Sequence, residues 1–271
     1  TLTLNPTAMT VGSITLAEWG AGSKGSGSSE VDGITITTTT LTNIDQAGTL
    51  YLAATAESTS GVAANGTGTY PVKYEKSQAS IDDATDSGYS PIIWDNLAKG
   101  NYTYAALFVP KEYRHEAVAG NNHEFDYLIA TSDVTAWGTQ PGFSTEGHKL
   151  THAMAQLDVK LISGTDGFTN AELNAAAVKT DSKKKVSVGS TTATLNISDL
   201  TTAKNVALKK TVDAADASGT NATFSALIAP QQLKQIVITI NGNNYTLNKE
   251  LTMTANQKFS LEVTVSRTPL G

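Results

Sequence analysis

The sequence predicts an all-β protein, built as two β-sandwiches in tandem and completed by an additional strand. Three observations carry this. Apolar residues alternate with Thr, Ser and Asn in many short runs, and period-2 alternation turns one face of an extended strand toward a core. The polar share is rich in Thr, whose β-branched side chain is stiff at χ1 and favours strands. Turn residues separate the runs, with a single short helical pattern among them. At 271 residues the chain is long enough for two domains. With 39% hydrophobic and only 16% charged residues, it falls among globular rather than disordered chains.

The first nineteen residues are strand material with nothing local to pair with. Leu2 and Leu4 alternate with Thr1 and Thr3, Met9 and Val11 flank Thr10, and Ile14 and Leu16 flank Thr15. Asn5-Pro6 and Gly12-Ser13 break any helical continuity. Residues 20–33 form a Gly/Ser-rich tether. A strand followed by such a tether reads as one inserted elsewhere, so 1–19 is taken as a donor segment.

The first sandwich is assigned to 34–147. Its strands are expected at 34–41, 49–54, 70–74, 92–94, 100–109, 124–131 and 134–137, with loops at 61–68 and 77–90. Pro71 suggests an edge or first position, because proline cannot donate to a ladder. Pro141, Gly142 and Gly147 mark a boundary, and the second sandwich is assigned to 148–271. Its strands are expected at 155–162, 186–188, 193–197, 206–208, 223–228, 235–240, 245–247 and 258–265. Residues 170–177 read as one short helix capped by Thr169 or Asn170. Asn241-Gly242 suits the positive φ of a tight hairpin turn.

Composition excludes several functions. A net charge of −6 argues against nucleic acid, whose phosphates require a basic face. No stretch is long and apolar enough to span a bilayer. No signal peptide is visible, so the chain is expected to be either cytosolic or already mature. The absence of Cys removes disulfides, Cys-ligated metals and Cys nucleophiles.

His148 and His152 stand four apart beside Glu146, a zinc-like spacing on a helix. The alternating run after Ala155 makes this region extended, so these residues, with His115 and His123, are read as surface or interface histidines and no metal is expected. Asp82, Asp83 and Asp86 lack the Gly and distal Glu of a calcium loop and read as a solvated loop. Lys183, Lys184 and Lys185 read as a solvated hairpin tip. Asn-x-Ser/Thr triplets at Asn65, Asn101, Asn196, Asn221 and Asn244 are chance matches in so Thr-rich a chain. No phosphate loop, nucleophile elbow or paired-carboxylate motif is present, so neither catalysis nor a cofactor is expected. Arg114 reads as an incidental surface residue.

Three stretches carry a resemblance. Lys149 to Leu161 (KLTHAMAQLDVKL) has a His/Ala/Met-rich junction leading into an alternating strand. Leu251 to Val265 (LTMTANQKFSLEVTV) places an Asn and a basic neighbour before an aromatic residue and another alternating run. Ile14 to Trp19 (ITLAEW) is an alternating strand ending at a Trp, followed by Gly and Ser. Together they resemble the fimbrillin-like family, subunits of type V pili of Bacteroidia, across most of the chain.

The resemblance implies two Greek-key, transthyretin-like sandwiches completed by a donor strand. In the family the third element follows the late strand, whereas here it precedes everything, and Thr268-Pro269-Leu270-Gly271 stops where it would begin. Residues 1–19 are therefore expected to be a carboxyl-terminal donor strand placed at the amino terminus. Circular permutation, a neighbouring subunit's strand, or the tail of a preceding tandem domain would each produce this order.

The implied function is a structural pilus subunit, in stalk or tip, that polymerises by donor-strand exchange and supports adhesion. The implied partners are copies of itself or other pilins, with a host or bacterial surface ligand, and the implied location is a pilus on the outer membrane. Leu2, Leu4, Met9, Val11, Ile14, Leu16 and Trp19 are the expected groove fillers. Burying five to seven of them at ~1.5–3 kcal/mol each yields roughly 10–20 kcal/mol before entropy is counted. A surface carbohydrate- or protein-binding module is the alternative, using loop aromatics such as Tyr89, Tyr113 and Trp137. A glycan-processing enzyme ranks below both.

Overall fold

The computed structural model describes residues 14–15, 20–21, 48–57, 66–75, 78–81, 92, 100–110, 125–136, 139, 141–143, 145–164, 167–182, 185–198, 204–215, 221–248 and 250–266. These residues form strands, turns and one short helix. The chain divides into two compact units, the first being Thr1–Glu18, Thr42–Ala153 and Val186–Asn196, and the second Trp19–Leu41, Met154–Lys185 and Ile197–Gly271.

The first unit contains β1 (Ile14–Thr15), β3 (Gly48–Ala56), β4 (Gly66–Glu75), β5 (Gln78–Ile81), β6 (Asn101–Pro110), β7 (Leu128–Thr131), β8 (Thr135–Ala136) and β9 (Thr151–His152). They make one sheet ordered β1-β5-β4-β3-β6-β7-β9, with β8 also paired to β6. Every pairing is antiparallel. The register places Leu50 opposite Phe108, Leu52 opposite Ala106 and Ala54 opposite Tyr104. That shared face, with Tyr70, Tyr102, Leu128, Phe143 and Leu150, is the core of the unit. Leu107 and Val109, on the opposite face of β6, are also buried, so this strand is covered on both sides.

The long segment of the first unit ends at Ala153, where Thr151 and His152 pair with Ile129 and Leu128 and the Ala153 N–H donates to the Tyr127 carbonyl at 2.8 Å. The division read from the sequence at 147/148 falls before this closing strand. Pro71 lies inside β4, between two neighbours rather than on an edge strand. β5 covers β4 only from Val72 onward, so at Pro71 itself one side of the ladder is vacant among the described residues. The loop expected at 77–90 contains β5, and Ile92 is buried outside any strand, its N–H donating to the Tyr70 hydroxyl at 3.1 Å.

The second unit is a two-sheet sandwich. Its elements are β2 (Gly20–Ala21), β10 (Ala155–Ser163), α1 (Asn170–Asn174), β11 (Ala177–Ser182), β14 (Lys204–Ala207), β15 (Lys209–Val212), β16 (Ala222–Ile228), β17 (Gln231–Leu233), β18 (Ile236–Ile240), β19 (Asn243–Leu247), β20 (Leu251–Met253) and β21 (Gln257–Val265). One sheet is ordered β15-β16-β10-β21-β2, the other β14-β11-β18-β19, with β17 paired to β20. Leu157, Val159 and Leu161 of β10 and Phe259, Leu261 and Val263 of β21 share one core with Val178 of β11 and Ile236, Ile238 and Ile240 of β18. The alternation that predicted these strands is the alternation of their burial.

The helix is shorter than expected. Thr169 caps it in a reciprocal box: its hydroxyl accepts from the Glu172 N–H, and its own N–H donates to the Glu172 carboxylate at 2.8 Å. The β18–β19 hairpin turns at Asn241 (φ 52°) and Gly242 (φ 79°), the left-handed pair expected of Asn-Gly.

β12 (Lys185–Gly189) and β13 (Thr194–Ser198) form a separate two-stranded ribbon. β11 pairs with β14 and β18 and β12 with β13, so among the described residues the strands flanking the 183–185 lysine run do not pair with each other. Strands β9, β11, β15, β17 and β20 were not legible as strands in the sequence.

Candidate functional site

β21 is the strand on which the second unit's sheet is built. Phe259, Leu261, Val263 and Val265 turn inward. On one side β10 runs parallel to it through eight registered pairs, from Gln156 opposite Lys258 to Ser163 opposite Val265. The outward faces of these two strands carry opposite charges. Lys258 Nζ lies 3.1 Å from Asp158 Oδ2, and Lys160 Nζ lies 3.1 Å from Glu262 Oε1. Gln156 also donates to Asp158 at 2.9 Å. Partly exposed pairs of this kind contribute about 0–1 kcal/mol each, so the ladder and the apolar face carry the strand pairing.

The other side of β21 differs. Gly20 pairs with Gln257 and Ala21 with Lys258, again parallel, and from Phe259 to Val265 no strand lies beside β21 among the described residues. The sheet's opposite edge is blunted. All four residues of β15 are exposed, Lys209 and Lys210 lie on it, and its register shifts between Lys210 and Val212. Edge lysines and irregular register are devices that discourage pairing with another chain.

The amino-terminal segment meets two sheet edges. Ile14 pairs with Ala79 and Thr15 with Gln78 on β5, while Gly20 and Ala21 lie along β21. Gly20 and Ala21, expected in the tether, pair in a ladder instead, since backbone groups suffice for pairing and Gly/Ser composition carries no sign of it; residues 22–33 of that tether lie outside the described residues. Of the expected groove fillers, Ile14 lies on β1. Leu2, Leu4, Met9, Val11, Leu16 and Trp19 lie outside the described residues, as do Asp82, Asp83, Asp86, Tyr89, Tyr113, Arg114, His115, His123, Trp137, Lys183 and Lys184.

His152 is not a surface residue. It is fully buried, and its Nδ1 lies 2.7 and 2.9 Å from the two carboxylate oxygens of Asp126, itself 3% exposed. Burial pushes the Asp126 carboxyl above its ordinary value, and the hydrogen bond and charge of His152 oppose that rise. The signal in the sequence is the alternation Leu150, His152, Met154, whose three members are all buried. His148 is half-buried, between the Thr131 carbonyl and the Asp133 carboxylate. His148 sits in the turn at 145–149 and His152 on β9, and this separation keeps the two imidazoles on different partners.

No protein-family model and no curated protein sequence matches the chain. Solved structures do. A candidate cell adhesion protein from Bacteroides uniformis ATCC 8492 superposes over 94% of this chain and 92% of that one, with TM-score 0.53 and 13% identity. Another from Bacteroides ovatus ATCC 8483 covers 83% of each, with TM-score 0.50 and 12% identity. The chain has the fold of these two proteins. The tip fimbrial protein Mfa3 from Porphyromonas gingivalis, truncated at its C-terminus, aligns over 83% of this chain and 92% of that one, with TM-score 0.47 and 9% identity. The fold assignment rests on the first two.

Proposed function

We propose that this chain is a non-enzymatic structural subunit of a bacterial surface pilus that assembles by donor-strand exchange and serves adhesion. The observation that carries the reading is the fold shared with Bacteroides adhesion proteins over nearly the full length of both chains. The parallel pairing of Gly20 and Ala21 with Gln257 and Lys258 supports it, because β21 there pairs with a strand drawn from the amino-terminal region rather than from its sequence neighbours. Leu2, Leu4, Met9, Val11, Ile14, Leu16 and Trp19 supply the apolar row of the donor strand. The partners are further copies of this chain or other pilins, and the pilus stands on the outer membrane.

The test replaces Leu4 and Leu16 with Asp, singly and together. Electron microscopy and size-exclusion chromatography then follow polymers, and circular dichroism follows folding. Loss of filaments from a folded double variant is the expected result. Filaments of unchanged length and abundance would overturn the reading.

A further inference from the structure

The segment that closes the first unit is held along β7 by two imidazole–carboxylate contacts of different character. At its inner end His152 meets Asp126, both excluded from solvent. At its outer end His148 has an acceptor on each ring nitrogen: the Thr131 carbonyl oxygen lies 2.6 Å from Nδ1, and Asp133 Oδ1 lies 2.6 Å from Nε2. A carbonyl and a carboxylate accept but do not donate, and neither tautomer of a neutral imidazole carries protons on both nitrogens. Only the imidazolium satisfies both contacts at once.

Among the described residues, Lys149 and Glu146 are the charged side chains of the same turn. They pair with each other at 3.2 Å and leave Asp133 to His148. The turn at 145–149 is otherwise held by the His148 N–H to the Thr145 carbonyl at 3.0 Å, with Gly147 at φ +83°, and it ends at Leu150, which is fully buried in the core.

We propose that His148, as the imidazolium, is a pH-responsive clasp holding residues 145–149 on β7, with the buried Leu150 and the His152–Asp126 pair as its fixed anchor. This inference is independent of the pilus reading. Removing one proton from the ring breaks one of its two contacts, so the clasp is closed in acid and loosens as the ring becomes neutral. Opening stops at Leu150, because its side chain lies in the core, the inner pair is buried and the Ala153 N–H remains on the Tyr127 carbonyl.

Hydrogen exchange tests this on the full chain from about pH 5 to about pH 8, the interval in which imidazole charge is the physiological switch. After correction for intrinsic rates, the amides of residues 145–149 in the parent lose protection by roughly 3- to 10-fold as pH rises, a modest range because the pair is partly exposed to screening solvent. The amide of His152 stays protected throughout. His148→Gln and Asp133→Asn both flatten the profile, and ring nitrogen shifts in the parent report both His148 nitrogens protonated at the acid end. Four results would each overturn the proposal: pH-independent protection in the parent, an unchanged profile in His148→Gln, a neutral His148 ring at the acid end, or equal loss of protection at His152.

Discussion

Replacing His152 with Leu strands a carboxyl group in the interior of the first unit. Asp126 is 3% exposed, and its two oxygens face the His152 Nδ1 at 2.7 and 2.9 Å. Removing one partner of a buried hydrogen bond to a carboxyl group costs about 1–3 kcal/mol, because the remaining group keeps its desolvation penalty and loses its compensation. Replacing both partners with Leu removes the penalty as well, and such replacements are neutral or stabilising by about 1–4 kcal/mol. The single and double variants therefore differ in sign or nearly so, and the double-mutant cycle is strongly non-additive.

The pH dependence follows from the raised Asp126 carboxyl. Its favourable contribution is fully present below the ordinary value of 3.8 and is lost as pH rises through the higher folded value. In His152→Leu the opposing effect of the imidazole is gone, so the deficit is small in acid and grows toward neutral pH. Urea unfolding at several pH values, followed through the transition of the first unit, measures all three variants. A neutral-pH loss below about 0.5 kcal/mol for His152→Leu, or a double variant equal to the sum of the singles, would refute the buried-pair reasoning.

Other perturbations test the frame around it. Burial, with a smaller push from Tyr102 and against the pull of the Thr135 hydroxyl, raises the Tyr104 phenol to about 12. Its contribution is intact below pH 10 and is lost as pH rises through 12, so Tyr104→Phe should resist alkaline unfolding better than the parent in that window. A Cβ at Gly48 would overlap the Phe108 ring and the Val109 carbonyl, so Gly48→Ala should cost about 1–3 kcal/mol in thermal unfolding of the first unit. Thr169→Ala removes one half of the capping box and should destabilise the second unit by about 0.5–2 kcal/mol, read from its unfolding transition. The Asn241 amide to Glu172, at 2.7 Å, should survive that change and keep the β18–β19 turn beside the helix.

Much of the fold was legible because its signals are local. Val159 and Leu161, Ile236 to Ile240, and Phe259 to Val265 alternate in sequence because they alternate between core and outer face. Thr169 three residues before Glu172 announces the cap, and Asn241-Gly242 announces the turn. Elements without such a pattern were missed. β15 has four exposed residues and hence no apolar face to betray it, β11 turns inward only one apolar side chain, Val178, beside the polar Thr180, and β20 is short. The outer-edge reading of Pro71 failed because a proline needs only one vacant side at its own position, not a vacant strand.

The sequence by itself determined which residues can form strands and which side of each seeks the core, since both follow from side-chain chemistry at a fixed period. Tertiary structure alone decided the partners. That β21 lies parallel between β10 and Gly20–Ala21, and that His152 meets a carboxylate twenty-six positions away, depend on long-range pairing of backbone ladders and on which polar groups are shut from water together. Neither leaves a trace in local alternation, because a strand's periodicity is the same whichever neighbour satisfies its hydrogen bonds.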